Sequence, residues 1–333
     1  MTVFYHIFSK ICLRFISRLR FLPRAGLELN AARGAAAVKV LISTFDAMKI
    51  LRIKSVFVAL MLIAISGLTQ KITVATYNLR FDNPRDSGNL WKDRAQPSVD
   101  LIRFHQIDVF GIQEGLINQL EDLSKGLPEF ERYGKGRDDG GTKGEHAAVF
   151  YNKKKFERLR AGDFWFSETP NIPGKGWDAT CCNRIASWVQ LREKKSGKTF
   201  YFFSAHFDHQ GKTAQLESAR LLLQKIKEIA GDQPVIAVGD FNVGRDSEPY
   251  KVLAASTLLR DAYHDVQYPY QLNGSFNDFG RDFATSMVID HIFLSAALKA
   301  TRWGLLTDTY RGKYPSDHFP VLADVHFKGR GKK

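Results

Sequence analysis

"QPVIAVGDFN", Gln233 to Asn242, is apolar at four successive positions before it ends in Gly-Asp-Phe-Asn. A strand with one face in water alternates apolar and polar side chains, so a run without alternation belongs to a strand covered on both faces. Just upstream, "TAQLESARLLLQKIKEIA" (213–230) repeats its apolar residues at i, i+3 and i+4, the pattern of a helix lying on a surface. Before that helix, "TFYFFSAHF" (199–207) is rich in aromatic residues and reads as another strand. Strand, helix and doubly covered strand in succession predict an α/β domain.

The same alternation extends in both directions. Upstream lie "ITVATYNL" (72–79, strand), "RAQPSVDLIRFHQ" (94–106, an amphipathic helix with a Pro in its first turns) and "DVFGIQE" (108–114, a short buried strand). A helix over 115–125 follows, then strands "AAVFYN" (147–152), "DFWFSE" (163–168) and "IASWVQLRE" (185–193), with "KKSGK" (194–198) turning the chain into 199–207. Downstream, "VIDHIFLS" (288–295) and "FPVLADVHF" (319–327) close the series. With no repeat and no linker in between, 71–327 is expected to be one domain.

Polar residues mark the ends of these runs: Asn78, Glu114, His206, Asp240 with Asn242, Asp290, and Asp317 with His318. In α/β folds the loops at strand ends converge on one cleft, where ligands gather. Any one of these residues could be a cap or a solvated side chain. Six stations carrying only Asn, Asp, Glu and His point to a common site. Glu114, Asn78 and Asp317 offer hard oxygen ligands, which Mg²⁺ prefers, with Mn²⁺ as its stand-in. A His beside a carboxylate can take a proton from water, and a second His with an Asn can donate to the oxygens of a charged transition state. The pattern suits hydrolysis of a phosphate ester. No thiolate zinc site, P-loop, G-x-S-x-G or G-x-G-x-x-G is present.

The ordered set "TYNLR", "GIQEG", "GEHAAVFY", "SAHFDH", "VGDFN", "IDHIF" and "SDHFP" resembles the endonuclease/exonuclease/phosphatase superfamily and its DNase-I-like fold, in a secreted bacterial branch. The resemblance covers 71–327 and implies a four-layer α/β sandwich, with two mixed sheets packed face to face between helices. It also implies roles. Glu114 is similar to the main metal ligand, with Asn78 and Asp317 beside metal and phosphate. His318 resembles the general base, oriented by Asp290. Asp240 and Asn242 match the pair that organises the water and the leaving oxygens. His206 matches the phosphate-binding histidine, and Glu145 its orienting partner, while His291 reads as structural.

Two loops stay open. Residues 163–188 form an aromatic strand followed by a Gly/Pro-rich loop. Arg184 would point from it into the cleft as a phosphate contact; the alternative is a surface loop that packs Trp165 and Trp177 on the sheet. "GKGRDDGGTKGEH" (134–146) is expected to be a flexible rim in which only Glu145 functions. Cys181 and Cys182 are neighbours, an unfavourable spacing for a mutual bond, and read as small buried residues.

The net charge of +13 on 333 residues resembles a nucleic-acid footprint until it is mapped. Residues 1–54 hold ten Lys or Arg against two acids, and the tail from 328 to 333 holds four more, which leaves about +1 between them. Nucleic acid is therefore not the favoured partner. From Met48 a basic stretch precedes the apolar run Val56–Ile65, and small or polar residues follow; 48–70 is read as a secretory signal peptide. The expected destination is the periplasm or the medium, without a stable membrane anchor; an uncleaved anchor is the competing reading. Residues 1–47 are expected to lie outside the mature protein, as an over-long reading frame or a targeting extension. The expected product is a monomeric, Mg²⁺-dependent phosphoesterase acting on a small phosphomonoester or phosphodiester. A secreted non-specific nuclease is the alternative, and a binding module that kept the fold without catalysis is a second, disfavoured because every matched position is filled.

Overall fold

The computed structural model describes residues 71–284 and 286–329, together with Lys39. The segment read as signal peptide, the upstream extension apart from Lys39, and most of the basic tail lie outside the described residues. No described helix is long and apolar enough to cross a membrane.

Among the described residues, twelve strands form two six-stranded mixed sheets. The first has the order β11 (Leu298–Leu305), β12 (Val321–Phe327), β1 (Lys71–Asn78), β2 (Val109–Gln113), β4 (Val149–Asn152), β3 (Phe130–Tyr133). The second runs β5 (Phe156–Trp165), β6 (Ile185–Glu193), β7 (Thr199–His206), β8 (Val235–Asp240), β10 (Asp290–Leu294), β9 (Arg260–Asp261). Each sheet has one parallel pair at its centre, β1 with β2 and β7 with β8. Helices α1 (Trp91–Phe104) and α2 (Ile117–Gly126) cover the first sheet, and α3 (Lys212–Ala230) and α4 (Glu248–Ala254) the second. This is the expected four-layer sandwich.

Alternation along the central strands builds three cores from one sequence pattern. Ile72 and Val74 of β1 face the opposite sheet, while Ala75 and Tyr77 face the helices. In β8, Ile236 and Val238 join the inter-sheet core, and Val235 and Ala237 pack under α3. The sheets approach closely at Gly111, where an added Cβ would stand 2.6 Å from a methyl of Val238. A buried polar bridge crosses the same point: Thr76 Oγ1 donates to Gln113 Oε1 (3.0 Å), and Gln113 Nε2 donates to Ser204 Oγ (3.1 Å). Satisfied buried polar groups of this kind fix one register between sheets.

Several local expectations need correction. Helix α1 begins at Trp91, ahead of the expected Arg94, and Pro97 lies inside it, in its second turn. Strand β5 starts at Phe156, seven residues before the expected "DFWFSE", because its first half is a charged edge with exposed residues on both sides. Cys181 and Cys182 are bonded to each other, contrary to expectation, with Cα atoms 3.7 Å apart. They sit in a loop without regular backbone, which is free to adopt the tight ring that such a bond demands, and Cys181 is exposed, not buried.

Candidate active site

The carboxyl ends of β1, β2, β7 and β8 meet the amino ends of β10 and β12 at one edge of the sandwich. Strand register does much of the positioning: Asp290 is paired with Asp240, and His206 lies beside Asp240. All six expected stations therefore converge. Glu114 follows β2 directly and Asn242 lies two residues beyond the end of β8, and both adopt left-handed backbone (φ 61° and 53°). Such conformations cost of order 1–3 kcal/mol in a non-glycine residue and cluster at functional sites.

Asp240 Oδ2 is the hub. Asn78 Nδ2 donates to it at 3.0 Å, His206 Nε2 stands 3.7 Å away and His318 Nε2 3.9 Å away. Asn78 also donates to Glu114 Oε1 (3.2 Å), linking the two halves of the cleft. His318 Nδ1 pairs with Asp290 Oδ2 at 2.9 Å, so the ring is held with Nε2 facing the hub. Burial opposes a charge on His318, but the carboxylates of Asp290, Asp240 and Asp317 prevail and raise its pKa well above the ordinary imidazole value. Burial, reinforced by Asp290, pushes Asp240 up to about 7. Burial and Glu114 likewise raise Asp317 to about 6 against the pull of His318. Asp317 Oδ2 lies 3.7 Å from Arg80 Nε.

The other end of the cleft is cationic. Arg184, only 5% exposed, brings Nη1 to 2.7 Å from His206 Nε2 and Nη2 to 2.7 Å from His209 Nδ1. A guanidinium only donates, so both ring nitrogens accept and both imidazoles are neutral in this arrangement. Burial, with Arg184 and Arg137 adding to it, holds the pKa of His206 well below its usual value. Glu145 is not hydrogen-bonded to His206, whose Nδ1 is 3.9 Å away. Its carboxylate is instead gripped by Arg137 through two hydrogen bonds, at 2.5 and 2.9 Å. The guanidinium fork matches a carboxylate better than one imidazole N–H does. The open question on residues 163–188 resolves into both answers: Trp165 and Trp177 pack onto the protein, and Arg184 reaches the cleft.

The donor set suits a hard divalent cation: carboxylate oxygens, a carboxamide and imidazole, without thiolate. Two observations support the fit. Carboxylates crowd close enough to raise each other's pKa, a repulsion that a cation relieves, and the buried Asp290 Oδ1 lacks a hydrogen-bond partner among the described residues. Asp240, Asp290 and His318 bring ligand atoms within 4.8 Å of one another, whereas the ligands expected from sequence were Glu114, Asn78 and Asp317, of which Asn78 joins Glu114 to the hub.

Four functional neighbours escaped the sequence reading. Arg137 was assigned to a passive rim, and His209 lies only three residues beyond His206 but outside the strand-end pattern. Arg94, fully buried, donates to the carbonyls of Leu79 (2.6 Å), Asn89 (2.8 Å), Pro315 (2.9 Å) and Arg80 (3.2 Å), tying the loop after Asn78 to the one before Asp317. Asp208, beside Arg184 (3.5 Å), accepts from Gln210 and Gly211 and shapes the turn into α3. His291 is buried and donates through Nε2 to the Val243 carbonyl (2.9 Å), bracing the turn that carries Asn242.

Comparison with known proteins agrees with the geometry. An endonuclease/exonuclease/phosphatase family protein of Bacteroides thetaiotaomicron is 43% identical, with a TM-score of 0.75 over 78% of this chain and 98% of the other. The mannosyl-6-phosphatase of Bacteroides thetaiotaomicron VPI-5482 is 44% identical, with a TM-score of 0.74 over 77% of this chain and all of the other. An uncharacterized protein of Acanthamoeba polyphaga mimivirus is 28% identical over 255 residues, 70% of this chain and 91% of its own. Residues 75–318 match the Endonuclease/Exonuclease/phosphatase family, and the chain belongs to it.

Proposed function

We propose that this protein is a divalent-metal-dependent hydrolase of small phosphomonoesters, sugar phosphates foremost, exported through its N-terminal segment. The buried Arg184, flanked by His206 and His209 at the closed end of the cleft, carries the reading. A terminal phosphate offers three unesterified oxygens to such an array, whereas a diester must thread a second substituent past it. A relative that is 44% identical along nearly the whole domain and is a mannosyl-6-phosphatase supports the sugar phosphate.

Glu114, Asp317 and Asn78, with Asp240 in reach, would hold the cation, which as Mg²⁺ or Mn²⁺ supplies charge neutralisation at the phosphate. The protein's own groups do the rest. His318 Nε2 takes a proton from a water molecule whose oxygen attacks phosphorus, while Asp290 fixes the ring and stabilises its charged form. The P–O bond to the alcohol breaks as the new one forms, the departing oxygen takes a proton from solvent, and His318 returns the one it took to solvent. Arg184 turns its N–H groups from the two imidazoles to the phosphate oxygens, which frees His206 Nε2 to carry a proton and donate as well, and Asp240 with Asn242 orders the water and the departing oxygen.

The test is turnover of a panel of sugar, lipid-headgroup and nucleotide phosphates after EDTA treatment and after addition of Mg²⁺ or Mn²⁺. Activity should vanish in EDTA and return with the metal, and Glu114→Gln should weaken turnover and metal dependence together. Full activity in EDTA ends the metal assignment, and turnover of diesters alone ends the monoester one.

A further inference from the structure

Beside Asn242 the molecule carries a second feature that catalysis does not use. A groove of about 560 Å³ opens between the start of α3 and the start of α4, with Asn242 and Met287 among the residues that line it. Its volume falls inside the roughly 300–1,000 Å³ range of small-molecule sites. It also lies just beyond the carboxyl ends of the parallel strands β7 and β8, where α/β folds place ligands. We propose that this groove is the subsite for the alcohol part of the substrate, and that the alcohol it takes is an uncharged polyhydroxylated group such as a hexose. The inference rests on the phosphomonoesterase reading for the position of the phosphate alone.

The chemistry of the walls selects the ligand. Lys212 and Glu248 both line the groove, one cation and one anion, so it has no net charge with which to attract a second phosphate. The amides that open α3 are unavailable to an anion, because Thr213 N and Ala214 N already donate to the Asp178 carboxylate (3.0 and 2.7 Å). No aromatic residue lines the groove among the described residues, which removes the platform on which a nucleobase would stack. What remains is a mixture of donors and acceptors. Glu248 is exposed and makes no hydrogen bond or ion pair among the described residues, while the Lys212 ammonium has only one side-chain partner, Gln215 Oε1, at a long 3.3 Å. Hydroxyl groups both donate and accept, so adjacent hydroxyls can satisfy both residues at once. Met287, 50% exposed, offers an apolar wall to the C–H face of a sugar ring.

Saturation-transfer NMR on the full-length protein in EDTA, where turnover is stopped, tests this with two ligands that share a phosphate. Glucose 6-phosphate carries hydroxyls, and n-hexyl phosphate carries none. The ring protons of glucose 6-phosphate should receive saturation from the wild-type protein. The double variant Lys212→Ala/Glu248→Ala removes one charge of each sign, so the field at the phosphate is preserved, and both side chains are exposed, so the fold is spared. Its Kd for glucose 6-phosphate should rise about tenfold, the size expected for two lost hydrogen bonds, with that for n-hexyl phosphate within twofold of wild type. Equal weakening of both ligands, no weakening of either, or a wild-type protein that transfers no saturation to the sugar ring overturns the groove assignment. Failure of the phosphomonoesterase reading shows separately, as absent turnover of p-nitrophenyl phosphate in Mg²⁺.

Discussion

His318 is placed as a base should be: Nδ1 is spent on Asp290 at 2.9 Å, and Nε2 is left facing Asp240 at 3.9 Å. His318→Ala should lower kcat by roughly 10²–10⁴, the usual size of a general-base effect. A base must be unprotonated to work. Since the surrounding carboxylates outweigh burial and raise the pKa of His318 above the ordinary imidazole value, the ascending limb of the pH–rate curve should lie above pH 6.5 in the wild type. Asp290→Asn removes the first-named of those carboxylates, so the limb should move to lower pH while kcat falls, because the ring loses its oriented tautomer. Near-normal activity in His318→Ala, or a limb that Asp290→Asn leaves in place, defeats the assignment. The positions of Asp290 and Asp240 could be anticipated because one begins and the other ends a strand that the sequence declares openly.

At the scale of elements, what could be read depended on how local the cause was. The inner strands were legible because being covered on both faces leaves an unmistakable apolar run, as in "VIAV" of β8, and α3 because its stripe repeats over nineteen residues. The short α4, the two-residue β9 and the four-residue edge strand β3 were not, since elements so short carry too few buried positions to impose a period, and in β11 a register shift between Ala300 and Arg302 breaks the alternation. The supports of the site were hidden for a different reason: their partners are distant in sequence. Arg94 sits in an ordinary helical pattern, yet its guanidinium meets a carbonyl 221 residues away at Pro315. A single buried cation thus joins α1 to both loops that present Asn78 and Asp317. Arg94→Met would fill much of the volume but leave those carbonyls without a donor, at a cost of about 3 kcal/mol or more. In a domain of this size thermal unfolding should then fall by roughly 6–12 °C, with a loss of turnover that persists well below the new Tm. A variant with unchanged Tm and turnover would show that water satisfies the carbonyls and that the clamp is dispensable.

The whole molecule bears on which phosphate esters can reach the cleft. The strong positive charge belongs to its two ends, and about +1 remains across the body of the chain. Cations at the cleft are moreover neutralised from within: Arg80 pairs with Asp86 (2.8 Å), Arg137 with Glu145 (2.5 Å) and Arg184 with Asp208 (3.5 Å). A duplex is held chiefly by free Lys and Arg that displace counterions from many phosphates, which makes such binding fall by about 10³–10⁵ between 50 and 200 mM salt for six to ten contacts. A site whose arginines are already paired has few counterions to displace, and a ligand with one phosphate touches only the closed end of the cleft. Turnover of a small phosphomonoester in Mg²⁺ should therefore change less than about threefold over that salt range, and supercoiled plasmid should be nicked weakly or not at all at 150 mM salt. The two assays run side by side on the purified protein decide the matter. Efficient nicking that collapses with salt, beside a silent small-molecule panel, would assign the cleft to nucleic acid and make Arg184 a contact to a strand and not to a terminal phosphate.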